Sequence, residues 1–319
     1  MVPEVSVVVA THNRPESLAA LMRSLAGQTL AGERFEVIVV DDGSDDPREI
    51  QRATSGLAGL EVRLLRHPIG RGPAAARNTG WRAARAPLVA LTDDDCLVSA
   101  QWLSEIMKAG GHAGQAVIIQ GRVEPVPEQR GEIRPLSHTI QVLGLNRLFE
   151  ICNIAYSREL LERVGGLDES LRRSGEDVDL GTRAVKAGGV PRFADRALAY
   201  HEVRQPGLMD MIRHTSKWTD SVRVIAKHPE LRDLLVGRLF WKRTHVWLFL
   251  VAAGVGLSLR TRRILPTVVA SGPYLEHYRR LYAGHWRRGG RALPTHVVID
   301  VFEVITVLWG SARHRTLML

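Results

Sequence analysis

The sequence predicts an α/β fold in which a mainly parallel sheet is flanked by helices. Short apolar runs alternate along the first third of the chain with segments whose apolar residues recur at helical spacing. Short connections between them favour right-handed crossovers, which place successive strands parallel in one sheet. The predicted strands span residues 5–10, 35–40, 62–65 and 88–91, and the helices between them span 15–26, 47–57 and 73–85.

Local residue choices support each of these elements. Residues 5–10 are apolar at nearly every position, as expected for a strand that is covered on both faces. Pro15 can begin the helix that follows, because the first turn of a helix needs no N–H from that residue. Gly70 and Gly72 precede the third helix, but they complete neither the dinucleotide-binding pattern nor the phosphate-loop pattern.

Charge and tryptophan content divide the chain of 319 residues near position 203. Residues 1–202 hold 24 Lys and Arg against 27 Asp and Glu, whereas residues 203–319 hold 19 against 7. Five of the seven tryptophans also lie in the second part. A chain of this length accommodates one large α/β domain and an appendage. We therefore predict a slightly acidic domain over 1–202 and a helical, basic region over 203–319.

The cysteines and the N-terminus predict a cytoplasmic protein. Cys96 and Cys152 are the two cysteines, and their spacing fits neither a disulfide framework nor a zinc site. Met1–Glu4 carries no basic segment of the kind that begins a signal peptide. A reducing compartment is therefore expected.

Polar residues follow three of the predicted strands at the point where each strand ends. These are Thr11–Arg14, Asp41–Asp42 and Asp93–Asp95. Ligands of an open sheet bind outside the carboxyl ends of parallel strands, so the three clusters are expected to meet. Three adjacent carboxylates repel one another, and Mg²⁺ or Mn²⁺ would hold them together with the phosphates of a substrate. The alternative is a solvated acidic turn before a helix at about 99–109.

Residues 5–202 resemble a family 2 glycosyltransferase of the GT-A fold, which is a Rossmann-like, mixed and mainly parallel sheet flanked by helices. The matching segments stand in the family's order. They are VSVVVATHNR (5–14), VVDDGS (39–44), GPAAARNTG (72–80), DDD (93–95), VGGLDE (164–169) and GEDVDL (175–180). By this resemblance, 1–202 is a catalytic domain with a nucleotide-binding half (1–98) and an acceptor-binding half (99–202).

The resemblance implies that a nucleotide-diphosphate sugar, in first place a UDP-sugar, lies over the first strand ends. Asp42 would accept from a ring N–H of the base, and Asp93 would face the ribose. The donor-binding residues implied are Thr11, Asn13, Arg14, Asp41, Asp42, Arg77, Asp93 and Asp94. Asp95 would hold Mn²⁺ or Mg²⁺, which neutralises the charge that grows on the leaving diphosphate. His201 is a second candidate metal ligand, with an ordinary polar role as the alternative, and Cys96 is expected to be a packing residue.

The Glu176–Asp177 pair is the second chemical element. By resemblance, Asp177 is the general base that deprotonates the acceptor hydroxyl in a single inverting displacement, and Glu176 orients the acceptor or the base. Considered locally, Ser174 would be a helix N-cap and the two carboxylates would favour the helix dipole. Asp168 and Glu169 are candidate acceptor contacts, with a turn role as the alternative.

The C-terminal region predicts contact with an anionic membrane surface. The apolar run 245–259 is shorter than the roughly 20 residues that a spanning helix needs, so a re-entrant or buried helix is expected. Residues 296–309 predict an amphipathic helix with Asp300 and Glu303 opposite a broad apolar face. Arginines flank both segments, including 260, 262, 263, 279, 280, 287, 288 and 291. The alternative is a helical cap on the catalytic domain or on a second copy in a homo-oligomer. Nucleic acid is not an expected partner, because no recognition module accompanies the arginines.

These observations predict an inverting, metal-dependent hexosyltransferase that is peripheral or monotopic on the cytoplasmic membrane face. Its acceptor would be a glycan or a lipid-linked sugar in cell-surface polysaccharide biosynthesis. A sugar-nucleotide nucleotidyltransferase is one alternative, although such an enzyme does not need Glu176–Asp177. A catalytically silent, membrane-bound scaffold is the other.

Overall fold

A computed structural model describes residues 2–57, 59–110, 116–282 and 286–319, with side chains omitted for 286–291. The backbone falls into two compact units. The first comprises Met1–Ile133 and Ser137–Arg204, and the second comprises Arg134–Leu136 and Gln205–Leu319.

The first unit is built on an eight-stranded sheet of order β3-β2-β1-β4-β7-β6-β8-β5. Strands β1 to β4 are parallel, β7 is antiparallel to both of its neighbours, and β6 is parallel to β8. The strands are β1 (Val5–Thr11), β2 (Phe35–Asp41), β3 (Glu61–Arg66), β4 (Leu88–Asp93), β5 (Cys96–Val98), β6 (Val117–Pro125), β7 (Asn153–Ser157) and β8 (Val190–His201). This is the mixed, mainly parallel sheet that the sequence predicts.

Six helices flank this sheet, and most of their apolar side chains belong to two core clusters. They are α1 (Pro15–Ala26), α2 (Pro47–Ala53), α3 (Pro73–Ala83), α4 (Trp102–Gly110), α5 (Arg158–Val164) and α6 (Glu176–Lys186). The predicted helix 47–57 is shorter than expected and ends at Ala53, because Thr54 is its C-cap and its backbone N–H donates to the Ile50 carbonyl at 3.2 Å. The predicted helix at 99–109 begins at Trp102 instead.

Helix α3 lies very close to β1. A Cβ placed on Gly80 would lie 2.3 Å from the Val8 Cγ1 atom, so only glycine allows this approach. Arg77, three residues earlier and 8% exposed, is thereby held against the sheet near its carboxyl edge. The strand register brings the predicted polar clusters together at that edge, because Thr11 pairs with Asp41 and Ala10 pairs with Asp93.

The segment 124–149 has local structure. Its first two residues belong to β6, and a 3-10 helix spans Pro127–Glu132. Further along, Val142 exchanges backbone hydrogen bonds with Val123 at 2.9 Å.

The second unit is helical. Its helices are α7 (Leu208–Thr215), α8 (Trp218–Lys227), α9 (Arg243–Thr261), α10 (Leu265–Leu281) and α11 (Trp286–His314). Two helical stretches, Arg243–Thr261 and Ala292–His314, are long and apolar enough to cross a membrane. The side chains of Arg287, Arg288 and Arg291, which belong to the predicted basic clusters, lie outside the described residues.

This unit buries two acidic side chains and exposes many apolar ones. Asp300 is buried and accepts hydrogen bonds from the hydroxyls of Tyr274 and Tyr278, both at 2.9 Å. Glu303 is buried and pairs with Lys242 at 2.7 Å. The exposed side chains include Phe249, Leu250, Val255, Leu257, Leu259, Leu265, Val268, Val269, Val298, Val301, Phe302, Ile305, Leu308 and Trp309. Helix α11 thus has the predicted apolar face and, opposite it, the predicted face with Asp300 and Glu303. The face with Asp300 and Glu303 is the buried one.

Candidate active site

The three aspartates after β4 point in different directions. Asp94 is buried, where its carboxylate accepts from the Thr11 hydroxyl at 2.8 Å and from the Arg14 guanidinium at 3.0 Å. Burial raises the pKa of Asp94 to about 6, although Arg14 opposes this shift. Asp94 thus joins Thr11 and Arg14 at the carboxyl end of β1.

Asp95 combines one engaged oxygen with one free oxygen. Its Oδ2 accepts from Arg204 Nη2 at 2.7 Å and from Arg14 Nη1 at 3.2 Å. Its Oδ1 is buried and has no hydrogen-bond partner among the described residues. A buried carboxylate oxygen without a partner is costly unless a cation or another donor meets it.

His201 faces that free oxygen. Its Nε2 lies 3.8 Å from Asp95 Oδ1, while its Nδ1 lies 2.9 Å from the Glu202 carbonyl oxygen. A proton on Nδ1, donated to this carbonyl, leaves the Nε2 lone pair available to a metal. Asp95 and His201 therefore fit a divalent cation, with one oxygen and one nitrogen directed at the same point.

Arg77 joins the strand edge to helix α6. Its guanidinium donates to Asp93 Oδ1 at 2.6 Å and to Glu176 Oε1 at 3.0 Å. Burial alone would lower the pKa of Arg77, but Asp93 and Glu176 more than offset this and raise it. The structure thus places Asp93 and Glu176, which are far apart in the sequence, on either side of one buried cation.

Asp177 follows Glu176 in the first turn of α6. Gly175, with φ of 83°, is the N-cap of this helix, so the expectation that Ser174 caps it is wrong. Glycine adopts this left-handed conformation without strain. Within the described part of the chain, no basic side chain forms an ion pair with Asp177, whose Oδ1 accepts from the Val178 N–H at 2.8 Å.

The environment of Asp177 favours its neutral form. Desolvation and the negative charge of Glu176 raise the pKa of Asp177 to about 8, while Arg77 opposes the shift. The Tyr156 ring on β7 is buried, and its hydroxyl has no partner among the described residues. A carboxylate with a raised pKa is a stronger proton acceptor once it is ionised.

Asp42 anchors the glycine-containing loop before α3. Its two carboxylate oxygens accept from the backbone N–H groups of Arg71 at 2.9 Å and Gly72 at 2.7 Å. His67 Nδ1 lies 2.6 Å from the same carboxylate. The loop is thus held by main-chain contacts to the end of β2.

Asp41 and Asn13 shape the neighbouring turns. Asp41 accepts from the Ser44 N–H at 2.9 Å and pairs with Arg66, so both of its oxygens are engaged. Asn13 has a positive φ of 54°, and its backbone N–H donates to Ser44 Oγ at 2.9 Å. These contacts connect the loop after β1 to the loop after β2.

The candidate acceptor residues lie beside α3. Glu169 accepts from Asn78 Nδ2 at 2.9 Å and pairs with Arg71 at 3.0 Å and Arg82 at 3.5 Å. Asp168 accepts from the backbone N–H of Ser170 at 3.0 Å. Neither residue takes part in the contacts described above for Arg77 or for Asp95.

Arg204 is a site residue that sequence reasoning did not single out. It contacts Asp95 from the segment just after β8, where it also pairs with Glu202 at 3.2 Å. The one signal in the sequence is a basic residue three positions after the candidate ligand His201.

Comparison with known proteins gives two matches to family profiles. Residues 6–165 match the family described as Glycosyl transferase family 2, and residues 152–299 match the Glycosyl transferase family group 2. A pre-mycofactocin glycosyltransferase of Mycobacterium tuberculosis is 31% identical over 248 residues, which cover 73% of this chain and 50% of that protein. The chain therefore spans half the length of this relative.

Solved structures share the fold. The mannosyltransferase PcManGT of Pyrobaculum calidifontis, solved with GDP-Man and Mn²⁺, aligns with a TM-score of 0.63 at 18% identity, over 97% of this chain and 87% of that one. Residues 1–349 of S. aureus TarS, solved with UDP-GlcNAc, align with a TM-score of 0.52 at 17% identity, over 98% of this chain and 92% of that one. The ordered segments, the mixed sheet and the two profile matches agree: this chain is a member of glycosyl transferase family 2.

Proposed function

We propose that the chain is an inverting, metal-dependent glycosyltransferase that moves a sugar from a nucleotide-diphosphate donor to a hydroxyl group of an acceptor. The observation that carries this proposal is the buried Arg77, which joins Asp93 to Glu176. It links the carboxyl edge of the parallel strands, where ligands of such sheets bind, to the helix that carries Asp177.

The proposed reaction needs one proton acceptor and no protein nucleophile. Asp177 accepts the proton of the acceptor hydroxyl while that oxygen attacks C1 of the donor sugar. The bond from C1 to the diphosphate oxygen breaks on the opposite face, which inverts the anomeric centre. Glu176, held by Arg77, keeps the first turn of α6 in place beside the reacting groups.

Asp95 and His201 are the residues that would hold a divalent cation. Such a cation, when bound, stabilises the negative charge of the nucleoside diphosphate. The unpartnered Asp95 Oδ1 supports this assignment, and PcManGT, a structural neighbour, was solved with Mn²⁺. Arg14 and Arg204 fix the orientation of the Asp95 carboxylate through its other oxygen.

A UDP-sugar is the proposed donor, with GDP-mannose next, since the two structural neighbours were solved with UDP-GlcNAc and GDP-Man. Thr11, Asn13, Arg14, Asp41, Asp42, Arg77, Asp93 and Asp94 are the proposed donor side of the site. The acceptor is proposed to be a glycan or a lipid-linked sugar, with Asp168 and Glu169 as its contacts.

The direct test is release of nucleoside diphosphate from a panel of sugar nucleotides with Mn²⁺ or Mg²⁺. We expect Asp177→Asn to abolish turnover and to retain donor binding, measured by calorimetry. A matched control is Glu159→Gln, an exposed carboxylate on α5. Turnover that persists in Asp177→Asn would remove the proposed base. Release of pyrophosphate from a nucleoside triphosphate and a sugar phosphate would instead identify a nucleotidyltransferase, and no activity of either kind would favour a silent scaffold.

We also propose that the second unit docks on the cytoplasmic face of an anionic membrane. The exposed apolar side chains of α9, α10 and α11 support this, because a helix that exposes its apolar face to water needs a partner for it. Arg260, Arg262 and Arg263, at the junction of α9 and α10, are exposed and suit anionic headgroups.

Vesicle flotation of the full chain tests the docking surface. We expect binding to vesicles that contain phosphatidylglycerol, and weaker binding for the triple variant Val269→Ser, Ile305→Ser, Trp309→Ser. Leu143→Ser with Leu145→Ser, which removes exposed leucines from the first unit, is the control. Equal flotation of the triple variant and the wild type would contradict the proposal.

A further inference from the structure

A third donor atom lies beside Asp95 and His201. One donor atom each from Asp95, Cys96 and His201 lie within 4.8 Å of one another. Cys96 on β5 is the direct cross-strand partner of His201 on β8. Residues paired in this way project from the same face of a sheet, so the thiol and the imidazole are side by side.

The carboxylate and the imidazole of this group are already oriented by the protein. Arg14 and Arg204 engage Asp95 Oδ2 and leave Oδ1 without a hydrogen-bond partner among the described residues, although the Asp95 side chain is only 8% exposed. The Glu202 carbonyl engages His201 Nδ1, so that Nε2 is left to face Asp95. The free atoms are therefore an oxygen and a nitrogen next to a sulfur.

The sulfur itself is inaccessible to solvent. Cys96 is 0% exposed and packs in a small cluster with Val123, Val142 and Cys152. A buried thiol of this kind is commonly a packing residue, which is what the sequence predicts for Cys96. Its place in a group whose other two members each present an unengaged atom distinguishes it from such a residue.

We propose that Cys96 Sγ is the third protein ligand of the metal centre, so that the centre offers oxygen, nitrogen and sulfur together. The proposal rests on the metal-dependent function proposed above. Donor atoms on one tetrahedral zinc lie about 3.6 Å apart, given bond lengths of about 2.1 Å to nitrogen or oxygen and 2.3 Å to sulfur. The observed limit of 4.8 Å thus requires an inward movement of about 1 Å, which small side-chain rotations supply. The thiol proton passes to solvent when the metal binds.

This ligand set selects among metals differently from a carboxylate-only site. Thiolate favours Zn²⁺, Co²⁺ and Cd²⁺, whereas carboxylate and water suit Mn²⁺ and Mg²⁺. We therefore expect Zn²⁺ to displace Mn²⁺ from this protein. An Asp and a His without the sulfur would discriminate less between these ions.

Titration of the metal-free full chain with Co²⁺ is the test. Wild type is expected to develop the near-ultraviolet charge-transfer absorption of a cobalt–thiolate bond, and Cys96→Ser is expected to lack it. Cys152→Ser is the control for a buried cysteine outside the donor group; although the Cys152 thiol hydrogen-bonds the Cys96 thiol, this variant is expected to keep the charge-transfer absorption. Calorimetry should show Zn²⁺ affinity about 10- to 100-fold weaker in Cys96→Ser, with Mn²⁺ affinity within about twofold of wild type. Thermal unfolding confirms that each variant is folded.

The outcomes separate this proposal from the proposed function. An absorption that survives in Cys96→Ser, or that is absent from wild type when calorimetry shows Co²⁺ bound, overturns the thiol ligand and leaves Mn²⁺-dependent transfer standing. Mn²⁺-dependent release of nucleoside diphosphate with no Co²⁺ binding also overturns it. If no divalent ion binds and transfer proceeds without one, both the ligand and the metal dependence are refuted.

Discussion

Replacement of Asp177 by Asn should make the protein inactive and, at alkaline pH, more stable. In the folded chain the pKa of Asp177 is raised from 3.8 to about 8. Between these two values the folded state holds a proton that the unfolded state has released, so the free energy of unfolding falls as pH rises through this range. Above about pH 8 the Asp177 carboxylate is ionised in the folded state too, and the free energy of unfolding is lowered by the full cost of holding this charge in the folded protein.

The size of this cost follows from the interval between the two pKa values. At about 1.4 kcal/mol for each pH unit, the upper limit is about 6 kcal/mol. Because the carboxyl is partly exposed, we expect solvent screening to reduce it to about 3 kcal/mol. The neutral amide of Asn escapes this cost, and for a unit of about 200 residues the gain corresponds to a rise in Tm of about 6 to 12 °C.

Thermal unfolding of wild type and Asp177→Asn at pH 5 and pH 9 measures this effect. The two proteins should differ by the stated amount at pH 9 and by about a third of it at pH 5, with Glu159→Gln showing no such difference. In parallel, kcat/KM of wild type should rise with pH and level off above about 8, because the base must be ionised to accept a proton. A Tm difference that is the same at both pH values would refute the reasoning.

Three further predictions concern the contacts around the site. Arg77→Met leaves two carboxylates without their cation, so it should lower the free energy of unfolding by about 3 kcal/mol and abolish activity. Arg82→Met, on the exposed side of the same helix, should change stability and turnover little. Chemical denaturation measures the stability of both variants, and the release assay measures their turnover. Gly80→Ala should lower stability by about 1 to 3 kcal/mol because the added methyl group meets β1, while Gly131→Ala, which meets nothing within 4 Å, should be neutral in the same unfolding assay. Removal of metal with EDTA should abolish turnover, and added Mn²⁺ should restore it. Asp95→Asn should require more Mn²⁺ than wild type for half-maximal rate. Turnover in EDTA that equals the untreated rate would contradict metal dependence.

The first four strands and their parallel direction follow from local sequence, whereas their order in the sheet does not. Strands β1, β2 and β4 are apolar runs, and short connections through helices favour parallel strands with right-handed crossovers. The later strands were less accessible to such reasoning. Strand β5 has three residues, too few for a periodic signal. The long β8 alternates irregularly and is interrupted by a register shift against β6 between Gly121 and Arg122.

The candidate site residues rest on the resemblance, and their contacts come only from the structure. The resemblance places Arg77 among the donor-binding residues, and its contact with Glu176 cannot be read from the sequence because the two residues lie 99 positions apart. Arg204 escaped notice for the same reason, since its contact with Asp95 spans 109 positions. In α11, helical periodicity correctly separated Asp300 from the apolar face, while only the tertiary structure shows that the acidic face is the buried one.

The buried acidic groups of α11 have a consequence for handling the protein. The helices of this unit are held together by the buried Tyr–Asp and Lys–Glu contacts as well as by apolar packing around Tyr274 and Tyr278, so their cohesion depends only in part on the expulsion of water. Transfer of the exterior of such a bundle from water into detergent micelles removes an unfavourable contact with water and leaves the internal bonds in place. Mild detergents should therefore suppress self-association during purification without loosening the helices.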